Sequence, residues 1–440
     1  MAEGQDGRAG RSRFSEQMHR FYRGKIQIQP KCAIRDHTDF AVWYTPGVLA
    51  ACQAIARDPE QVYEQTNRWN TVALVTNGSR ILGLGNLGPE AALPAMEGKA
   101  LLLKYLGGVD AVPVCLDAHD PEDLVRTTRH LQPSFGGVSL EGIASPACFY
   151  VLDRLREDLV VPAATDHQAT AIVTLAALLN ALRVVGKSLS EVRIALVGAG
   201  GANLATAQLL IAAGATPGHL ILVDRGGILN RRRVELREAH REKWTMCLAT
   251  NAEGLSGGIP EALRGADVVI ARSTAGLIRP EWVRRMAEDA IVFSCALPEP
   301  EIGPEEAQAA GARIVAFARD GLPNPLSDAL AFPPLFRGAL DVRARSISAE
   351  MCIAAAEALA EYAARRGLDE EAIVPHVADE DVCPEVAAAV GLRAITQGVS
   401  RLRPTREQLV AGAREAIRAA RESTRLLMEH GLIPILHPPT

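Results

Sequence analysis

The chain lacks an excess of positive charge. Its 440 residues contain 47 Lys and Arg against 52 Asp and Glu, which gives a formal net charge of −5. Proteins that bind nucleic acid usually carry a basic patch, and the arginine-rich stretches here, such as Arg231 to Arg233, are short and interleaved with other residues. We therefore expect no nucleic-acid partner.

Long apolar runs are also missing. We find no uninterrupted apolar run of about 18 residues, so we expect no segment that spans a membrane. The N-terminal stretch MAEGQDGRAGRSRF is polar and has no apolar core of the kind found in signal peptides. We expect residues 1–15 to form a disordered tail.

Paired cysteine motifs are absent as well. The eight cysteines are scattered, and no two have the C-x-x-C spacing that is typical of zinc or redox sites. Scattered cysteines in a large chain favour reduced thiols, and this predicts a cytoplasmic location instead of a disulfide framework.

The sequence does contain short apolar runs that alternate with amphipathic helical patterns. Runs such as VALVT at 72–76 and AVPVC at 111–115 indicate strands of a parallel sheet that is covered on both faces. A long apolar helix is predicted over 170–186, ending at Gly186. We predict an α/β fold with an N-terminal α/β domain over 16–165, a doubly wound Rossmann-type domain over 166–399, and a helical tail over 400–440.

A glycine-rich loop lies between a predicted strand and a predicted helix. Its Gly198 would allow the tight turn, and its Gly200 would let backbone amides approach a pyrophosphate at the helix N-terminus. The third glycine position is occupied by Asn203. The loop predicts a dinucleotide site made of Gly198, Gly200, Gly201, Ala202 and Asn203.

The next strand ends at Asp224, which is followed by Arg225. An acidic residue at this position can bind the ribose hydroxyls of NAD, whereas an adjacent arginine can hold the 2′-phosphate of NADP. Both cofactors therefore stay open.

Several ordered motifs give the chain a resemblance to the malic enzymes in their short bacterial form. These motifs are YTPGV at 44–48, MEGKA at 96–100, FGGVSLEGI at 135–143, GLSGGIPEAL at 254–263 and FRGALDVRA at 336–344. The resemblance runs from about Met18 to about Val399. It implies an NAD(P)-dependent oxidoreductase that oxidises a 2-hydroxy acid and then decarboxylates it, assisted by a divalent metal ion.

The resemblance also implies roles for individual residues. Tyr44 matches the tyrosine that protonates the enol carbon, and Lys99 matches the lysine base, whose pKa we expect burial to lower. Glu141 and Asp166 match two carboxylates that bind Mg²⁺ or Mn²⁺. The metal set is otherwise altered, because Gly142 and Thr165 stand where the family has aspartates.

The substrate positions depart further from the family. Leu297 and Asp328 replace asparagines of the family pattern, and Arg80 provides a guanidinium that can bind a carboxylate in bidentate fashion. In the segment ARSTAGLI at 271–278, which should pass over the cofactor, Ser273 matches the family loop. The changes favour a malate-like 2-hydroxy acid with a less anionic or an amine-bearing distal group.

Three alternatives remain at the level of sequence. The chain is an oxidoreductase for a modified malate-like acid, an ordinary malic enzyme that makes pyruvate and CO₂ from malate, or a non-catalytic homologue that binds nucleotide. The resemblance also implies a small-molecule substrate and a homodimer.

Overall fold

Two separate sheets, the first parallel and the second largely parallel, organise the protein. The computed structural model describes residues 13–81, 83–319 and 321–436. The first sheet has four parallel strands in the order β2-β1-β3-β4. Its strands are β1 (Thr71–Thr76), β2 (Asp110–Cys115), β3 (Gly137–Leu140) and β4 (Ala163–Thr165).

The second sheet has six strands in the order β10-β9-β8-β5-β6-β7. All neighbours are parallel except β6 and β7, which are antiparallel. Its strands are β5 (Ile194–Val197), β6 (Leu220–Asp224), β7 (Gly227–Ile228), β8 (Val268–Ala271), β9 (Ala290–Ser294) and β10 (Ala312–Phe317). From β5 the chain adds β6 and β7 on one side, and it then returns to add β8, β9 and β10 on the other side. The strand order therefore reverses between β5 and β8, and ligands bind at such a switch point in open α/β sheets.

Helices cover both faces of these sheets. Strands β1, β3, β5, β8 and β9 are buried along their whole length, as the continuous apolar runs predict. The α/β fold and the doubly wound second sheet are thus confirmed. The α-helices are Phe40–Trp43, Val48–Arg57, Val62–Gln65, Pro89–Gly107, Pro121–Leu131, Ala147–Asp158, Asp166–Val185, Gly201–Ala212, Leu236–Ala239, Arg241–Ala249, Ile259–Leu263, Pro280–Val283, Pro304–Ala309, Phe332–Asp341, Ala349–Ala364, Val382–Thr396 and Arg406–Glu429.

The helix Asp166–Val185, called the central helix below, joins the two sheets. It begins after Thr165, whose backbone is extended and whose N–H donates to the side chain of Gln168 at 3.0 Å. It ends at Gly186, which adopts the left-handed conformation that favours glycine. The predicted end is therefore confirmed, and the start lies four residues earlier than predicted.

The central helix is long and apolar enough to cross a membrane by length and composition alone. However, 67% of its most apolar 18-residue window is buried inside the protein, among helices such as Gly201–Ala212 and Ala349–Ala364. Burial of this kind is typical of the core helix of a globular protein.

The chain returns to the first sheet after it has completed the second. In the helix Phe332–Asp341, the fully buried Arg337 donates to the side chain of Asn70 at 2.6 Å, just before β1. The predicted C-terminal helical segment is confirmed, although the helix begins at Arg406 and not near residue 400. Most of the predicted disordered tail lies outside the described residues, but residues 13–22 are helical, so the prediction is wrong for 13–15. The domain boundaries remain predictions.

Candidate active site

The loops at the carboxyl ends of β1 and β3 are tied together. The backbone N–H of Glu141 donates to the carbonyl of Val75 at 2.8 Å, and the N–H of Arg80 donates to the carbonyl of Gly142, also at 2.8 Å. These bonds hold the loop that carries Arg80 beside the segment that carries Glu141. The pairing of parallel strands thus brings together residues that are about 60 positions apart in the sequence.

Lys99 extends from the helix Pro89–Gly107, called the lysine helix below, to these loops. Its ammonium donates to Oε2 of Glu141, while the hydroxyl of Ser139 donates to Oε1 at 2.6 Å. Glu141 is 1% exposed, and the Lys99 side chain is 19% exposed. The pair is therefore a largely buried lysine–carboxylate ion pair.

The charges around Lys99 decide its protonation. Burial alone lowers the pKa of Lys99, but the carboxylates of Glu141, Asp166 and Asp328 outweigh burial and raise the pKa. Our expectation of a lowered pKa is wrong for this arrangement, because three carboxylates stabilise the ammonium. Burial also raises the pKa of Glu141, against the opposing effect of Lys99.

Asp166 opens the central helix on the other side of Glu141. Its Oδ2 accepts a hydrogen bond from the N–H of Gly142 at 3.3 Å, and its Oδ1 lies 3.2 Å from Nδ1 of His167. Burial raises the pKa of Asp166, but the positive fields of His167 and Lys99 and the Gly142 bond outweigh burial and lower it.

Glu141 and Asp166 are the oxygen donors that a divalent cation would use here. Among the residues that the structure describes, no group of three His, Cys, Asp or Glu side chains has the arrangement of a metal site. Mg²⁺ commonly takes one or two carboxylates and fills its remaining positions with water and substrate oxygens. The donor chemistry of this pair fits a cation bound in that way.

The candidate substrate residues surround the same cluster. Asp328 is half-buried and accepts a hydrogen bond from the hydroxyl of Thr170 at 3.0 Å, and desolvation raises its pKa against the fields of Lys99 and Arg272. Arg80 is exposed, and its charge acts on Asp166. The structure thus brings Asp328 and Arg80 to the Lys99 cluster.

Leu297 and Tyr44 are placed differently. Leu297 is 47% exposed on the loop after β9, and its carbonyl lies 3.3 Å from where a side chain on Gly83 would begin. It therefore faces the loop that carries Arg80. Tyr44 is 72% exposed, and within the described chain its hydroxyl makes no hydrogen bond to the cluster. The single chain does not bring Tyr44 into contact with Lys99.

The glycine-rich loop has the backbone form that a dinucleotide requires. Gly198 has φ +93°, and a side chain there would begin 2.3 Å from the carbonyl of Arg272. The register of β5 with β8 creates this contact, because Val197 pairs with Ala271. A side chain on Gly200 would meet no atom within 4 Å, so the space above this residue is open. This cradle fits a pyrophosphate at the start of the helix Gly201–Ala212, called the nucleotide helix below.

Asn203 has a structural role within the loop. Its amide donates to the carbonyls of Val197 at 3.1 Å and Ile270 at 3.3 Å, and its oxygen accepts from Arg272 at 3.0 Å. Arg272 also donates to the hydroxyl of Thr174 at 2.5 Å. The side chain of Asn203 therefore ties the loop to β5 and β8, and only its backbone is available to a nucleotide.

The end of β6 carries more positive charge than the sequence pattern indicated. The Asp224 carboxylate accepts from Lys243 at 2.7 Å, from Arg233 at 3.1 Å and from the N–H of Gly226 at 2.8 Å. Burial raises the pKa of Asp224, but these donors outweigh burial and lower it. Arg225 and Ser273 are exposed near the ends of β6 and β8, and the N–H of Ser273 donates to Glu301 at 2.5 Å.

Four groups in the site were missed from the sequence. Ser139 and Thr170 hold the carboxylates of Glu141 and Asp328, and Arg272 connects the central and nucleotide helices. Lys243 donates a hydrogen bond to the carboxylate of Asp224, although the two residues are 19 positions apart in the sequence. No local pattern identifies such partners, since each is defined by tertiary packing.

A glycine cradle at the switch point of a doubly wound sheet, next to a buried lysine–carboxylate cluster, defines a nicotinamide-dependent oxidoreductase. Residues 23–156 match the family described as "Malic enzyme, N-terminal domain", and residues 167–311 and 319–395 match "Malic enzyme, NAD binding domain". The chain belongs to the malic enzyme family. It is a malic-enzyme-like, NAD(P)-dependent oxidoreductase of the decarboxylating class, as the resemblance implied.

Individual relatives agree with this assignment. The "Bifunctional malic/malolactic enzyme" of Bacillus subtilis is 41% identical over 400 residues, which cover 90% of this chain and 96% of that protein. An "NADP-dependent malic enzyme" of Halomonas elongata is 38% identical over 394 residues, covering 86% of this chain and 92% of the relative. The crystal structure of Entamoeba histolytica malic enzyme has a TM-score of 0.95 at 40% identity, covering 99% of this chain and 93% of that one.

Proposed function

We propose that the protein oxidises and decarboxylates a malate-like 2-hydroxy acid at the Lys99 cluster. The observation that carries this proposal is the buried pair of Lys99 and Glu141 beside two further carboxylates, Asp166 and Asp328. A hydroxy acid that enters here meets the amine of Lys99 and oxygen ligands for a cation.

The residues of the chain have distinct parts in this reaction. Lys99 accepts the proton of the substrate hydroxyl as a neutral amine, so it must first release its own ammonium proton to solvent. That release would become easier once Glu141 and Asp166 hold a cation, because those carboxylates would then stabilise the ammonium less. Arg80 binds a substrate carboxylate, because its exposed guanidinium stands at the rim of the cluster. Tyr44 donates the proton that the product carbon takes up, which requires that its hydroxyl be brought to the cluster from its exposed position in the single chain.

Two groups that this chain would bind supply the remaining chemistry: NAD(P) accepts the hydride, and Mg²⁺ or Mn²⁺ polarises the oxygens of the substrate. Glu141 and Asp166 would hold the cation. The backbone of Gly200, Gly201 and Ala202 would bind the pyrophosphate, with Ser273 at the rim of the cofactor cleft.

The substrate itself differs from plain malate in this proposal. An asparagine can donate a hydrogen bond to a distal carboxylate, whereas Leu297 cannot and the Asp328 carboxylate repels one. Asp328 is half-buried and already accepts a hydrogen bond from Thr170, which holds its carboxylate at the pocket wall. These features support a distal group that is neutral or that carries an amine.

Ordinary malic enzyme activity is the second candidate. Relatives at about 40% identity are named as malic enzymes, and this similarity favours malate itself. Arg80 would then replace the two lost amides as the donor to a carboxylate.

The charge at the end of β6 favours NADP over NAD. The oxygens of Asp224 already accept three donors, which leaves little capacity for a ribose hydroxyl. Lys243, Arg233 and the adjacent Arg225 offer positive charge that a 2′-phosphate can neutralise.

We also infer that the protein works as a cytoplasmic homodimer. The described cysteines are all free thiols, which suits a reducing compartment. The N-terminal segment exposes Phe40, Val42, Trp43, Tyr44 and Leu49 in the single chain, and a second copy would cover this apolar face. Light scattering would detect twice the 47.0 kDa chain mass.

The proposed reaction is tested by following NAD(P) reduction and CO₂ release over malate, 3-substituted malates and amino-hydroxy acids. Each substrate is assayed with Mg²⁺, with Mn²⁺ and with EDTA. Turnover of an analogue well above malate, abolished by EDTA, is the expected result. Turnover of malate above every analogue would establish the second candidate, and turnover that survives EDTA would contradict the role of the cation.

A further inference from the structure

His167 is the second residue of the central helix and directly follows Asp166. Its side chain is 4% exposed, and its Nδ1 lies 3.2 Å from Oδ1 of Asp166. Its other ring nitrogen, Nε2, is fully buried and has no hydrogen-bond partner among the described residues. A buried ring nitrogen without a partner is uncommon in folded proteins and calls for an explanation.

The unpartnered edge of the imidazole points to the start of the nucleotide helix. A side chain on Gly201 would begin 2.2 Å from Nε2 and 2.5 Å from Cδ2 of His167. Gly201 does not have a positive φ, so its backbone conformation would accept alanine. Glycine is needed there because the imidazole fills the space of a side chain.

His167 therefore stands between two binding sites. On one side is Asp166, a candidate ligand of the divalent cation, and on the other is the first residue of the 12-residue helix whose N-terminus would hold the pyrophosphate. The charged groups that act on His167 are Asp166, Arg80, Lys99 and Asp328, and the ring of Phe149 packs at 6.2 Å between centroids. The imidazole is thus fixed by packing on both sides.

We propose that His167 is a positioning residue that couples cation binding at Asp166 to NAD(P) binding at the Gly198–Asn203 loop. The inference rests on the proposed function, in which Asp166 binds the cation. Because the rigid imidazole lies against both Asp166 and Gly201, a shift of either residue displaces the ring toward the other. A ring that one ligand fixes in its bound position pre-orders the site of the other, so we expect each ligand to tighten the binding of the other. Because coupling between two ligands is reciprocal, the two effects are equal.

The test measures binding and not turnover. NADPH is titrated by its fluorescence into the full-length protein without metal and with saturating Mn²⁺, and Mn²⁺ binding alone is followed by electron paramagnetic resonance. In the wild type, Mn²⁺ should tighten NADPH binding by roughly fivefold or more, the usual scale of coupling between sites.

Two conservative variants separate the two contacts of the ring. His167→Asn keeps an amide near Nδ1 and loses the contact with Gly201, whereas His167→Gln reaches the Nε2 position and loses the contact with Asp166. Each should reduce the effect of Mn²⁺ on NADPH binding to about twofold or less. His130→Asn, at an exposed histidine on another helix, is the matched control and should keep the full effect.

The outcomes separate this inference from the proposed function. Wild-type protein that binds no Mn²⁺ would overturn both. Wild-type protein that binds Mn²⁺ and NADPH independently, or His167 variants that keep the full coupling, would overturn the role of His167 alone.

A second measurement does not depend on those variants. Gly201→Ala should lower the melting temperature, because its methyl group meets the imidazole, and adding His167→Ala should recover part of the loss. Strictly additive losses in the double variant would contradict the contact between His167 and Gly201.

Discussion

The two halves of the candidate active site, the proposed nucleotide site and the proposed substrate site, differ in what forms their surfaces. Around the glycine-rich loop, the binding surface is backbone: Gly198 and Gly200 set its shape, and the one polar side chain in the loop, Asn203, points into the sheet. Around Lys99, the surface consists of charged side chains, among them the buried Glu141 and the half-buried Asp328.

The two halves respond differently to sequence change. A site made of backbone amides keeps its function as long as the turn and the helix start are kept, so replacing the third glycine by Asn203 alters the packing but not the cradle. In a site made of side chains, each replacement changes charge or hydrogen bonding directly. The family scaffold is therefore intact here while the substrate chemistry is open to change.

The largest effect that would test this contrast is expected at Lys99. Lys99→Met removes the proton acceptor and should lower kcat by about 10²–10⁴-fold, the usual contribution of general acid–base catalysis. NADPH affinity should stay within about twofold, because the glycine cradle does not use Lys99. Steady-state kinetics and fluorescence titration measure the two quantities.

A lysine on the same helix provides the control for that variant. Lys104 pairs with Asp110 at 2.7 Å and lies outside the cluster. Lys104→Met should leave kcat nearly unchanged. An equal loss in both variants would mean that the lysine helix, and not the amine of Lys99, is what the reaction needs.

A smaller effect in the other half is expected at Gly200. A methyl group there contacts no protein atom within 4 Å, so the fold should tolerate it, but it occupies the space of the pyrophosphate. Gly200→Ala should weaken NADPH binding by about tenfold or more with an unchanged melting temperature.

Gly412→Ala is the matched control for the added methyl group. Gly412 lies in the helix Arg406–Glu429 with open space around it, so the variant should bind NADPH normally and gain up to about 1 kcal/mol of stability. If Gly200→Ala bound NADPH as well as the wild type does, the cradle would not be the nucleotide site.

The smallest effect concerns the choice of cofactor. Lys243→Met should lower kcat/KM for NADP by about threefold to tenfold and leave the value for NAD nearly unchanged, because NAD lacks the 2′-phosphate that the charge of Lys243 would attract. Lys187, which pairs with Asp267 at 2.8 Å and is similarly buried, gives the control Lys187→Met. Equal losses with both cofactors would remove the argument for NADP.

The contrast between the halves also explains what the sequence could predict. The strands, the end of the central helix at Gly186 and the glycine loop follow from local patterns, in which each residue's neighbours along the chain carry the signal. The proximity of Arg80 and Glu141 follows from the parallel pairing of β1 with β3, which a parallel sheet makes possible but no local pattern specifies.

The partners of buried charges could not be predicted in this way. The bonds from Ser139 to Glu141, from Thr170 to Asp328 and from Lys243 to Asp224 depend on rotamers and packing that no short motif encodes. The same reason explains the wrong expectation for the pKa of Lys99. Burial was foreseeable from the apolar helix, but the three carboxylates that outweigh it are brought together only by the tertiary fold.

The central claim is that Leu297 and Asp328 turn this pocket away from malate. The most direct test is kcat/KM for malate in the double variant Leu297→Asn/Asp328→Asn, measured beside the wild type with saturating NADP and Mn²⁺. Restoring two amide donors should raise kcat/KM for malate by about tenfold or more, since a buried carboxylate then gains hydrogen bonds and loses a repelling charge. An unchanged or lower value, with NADPH binding intact, would contradict the claim.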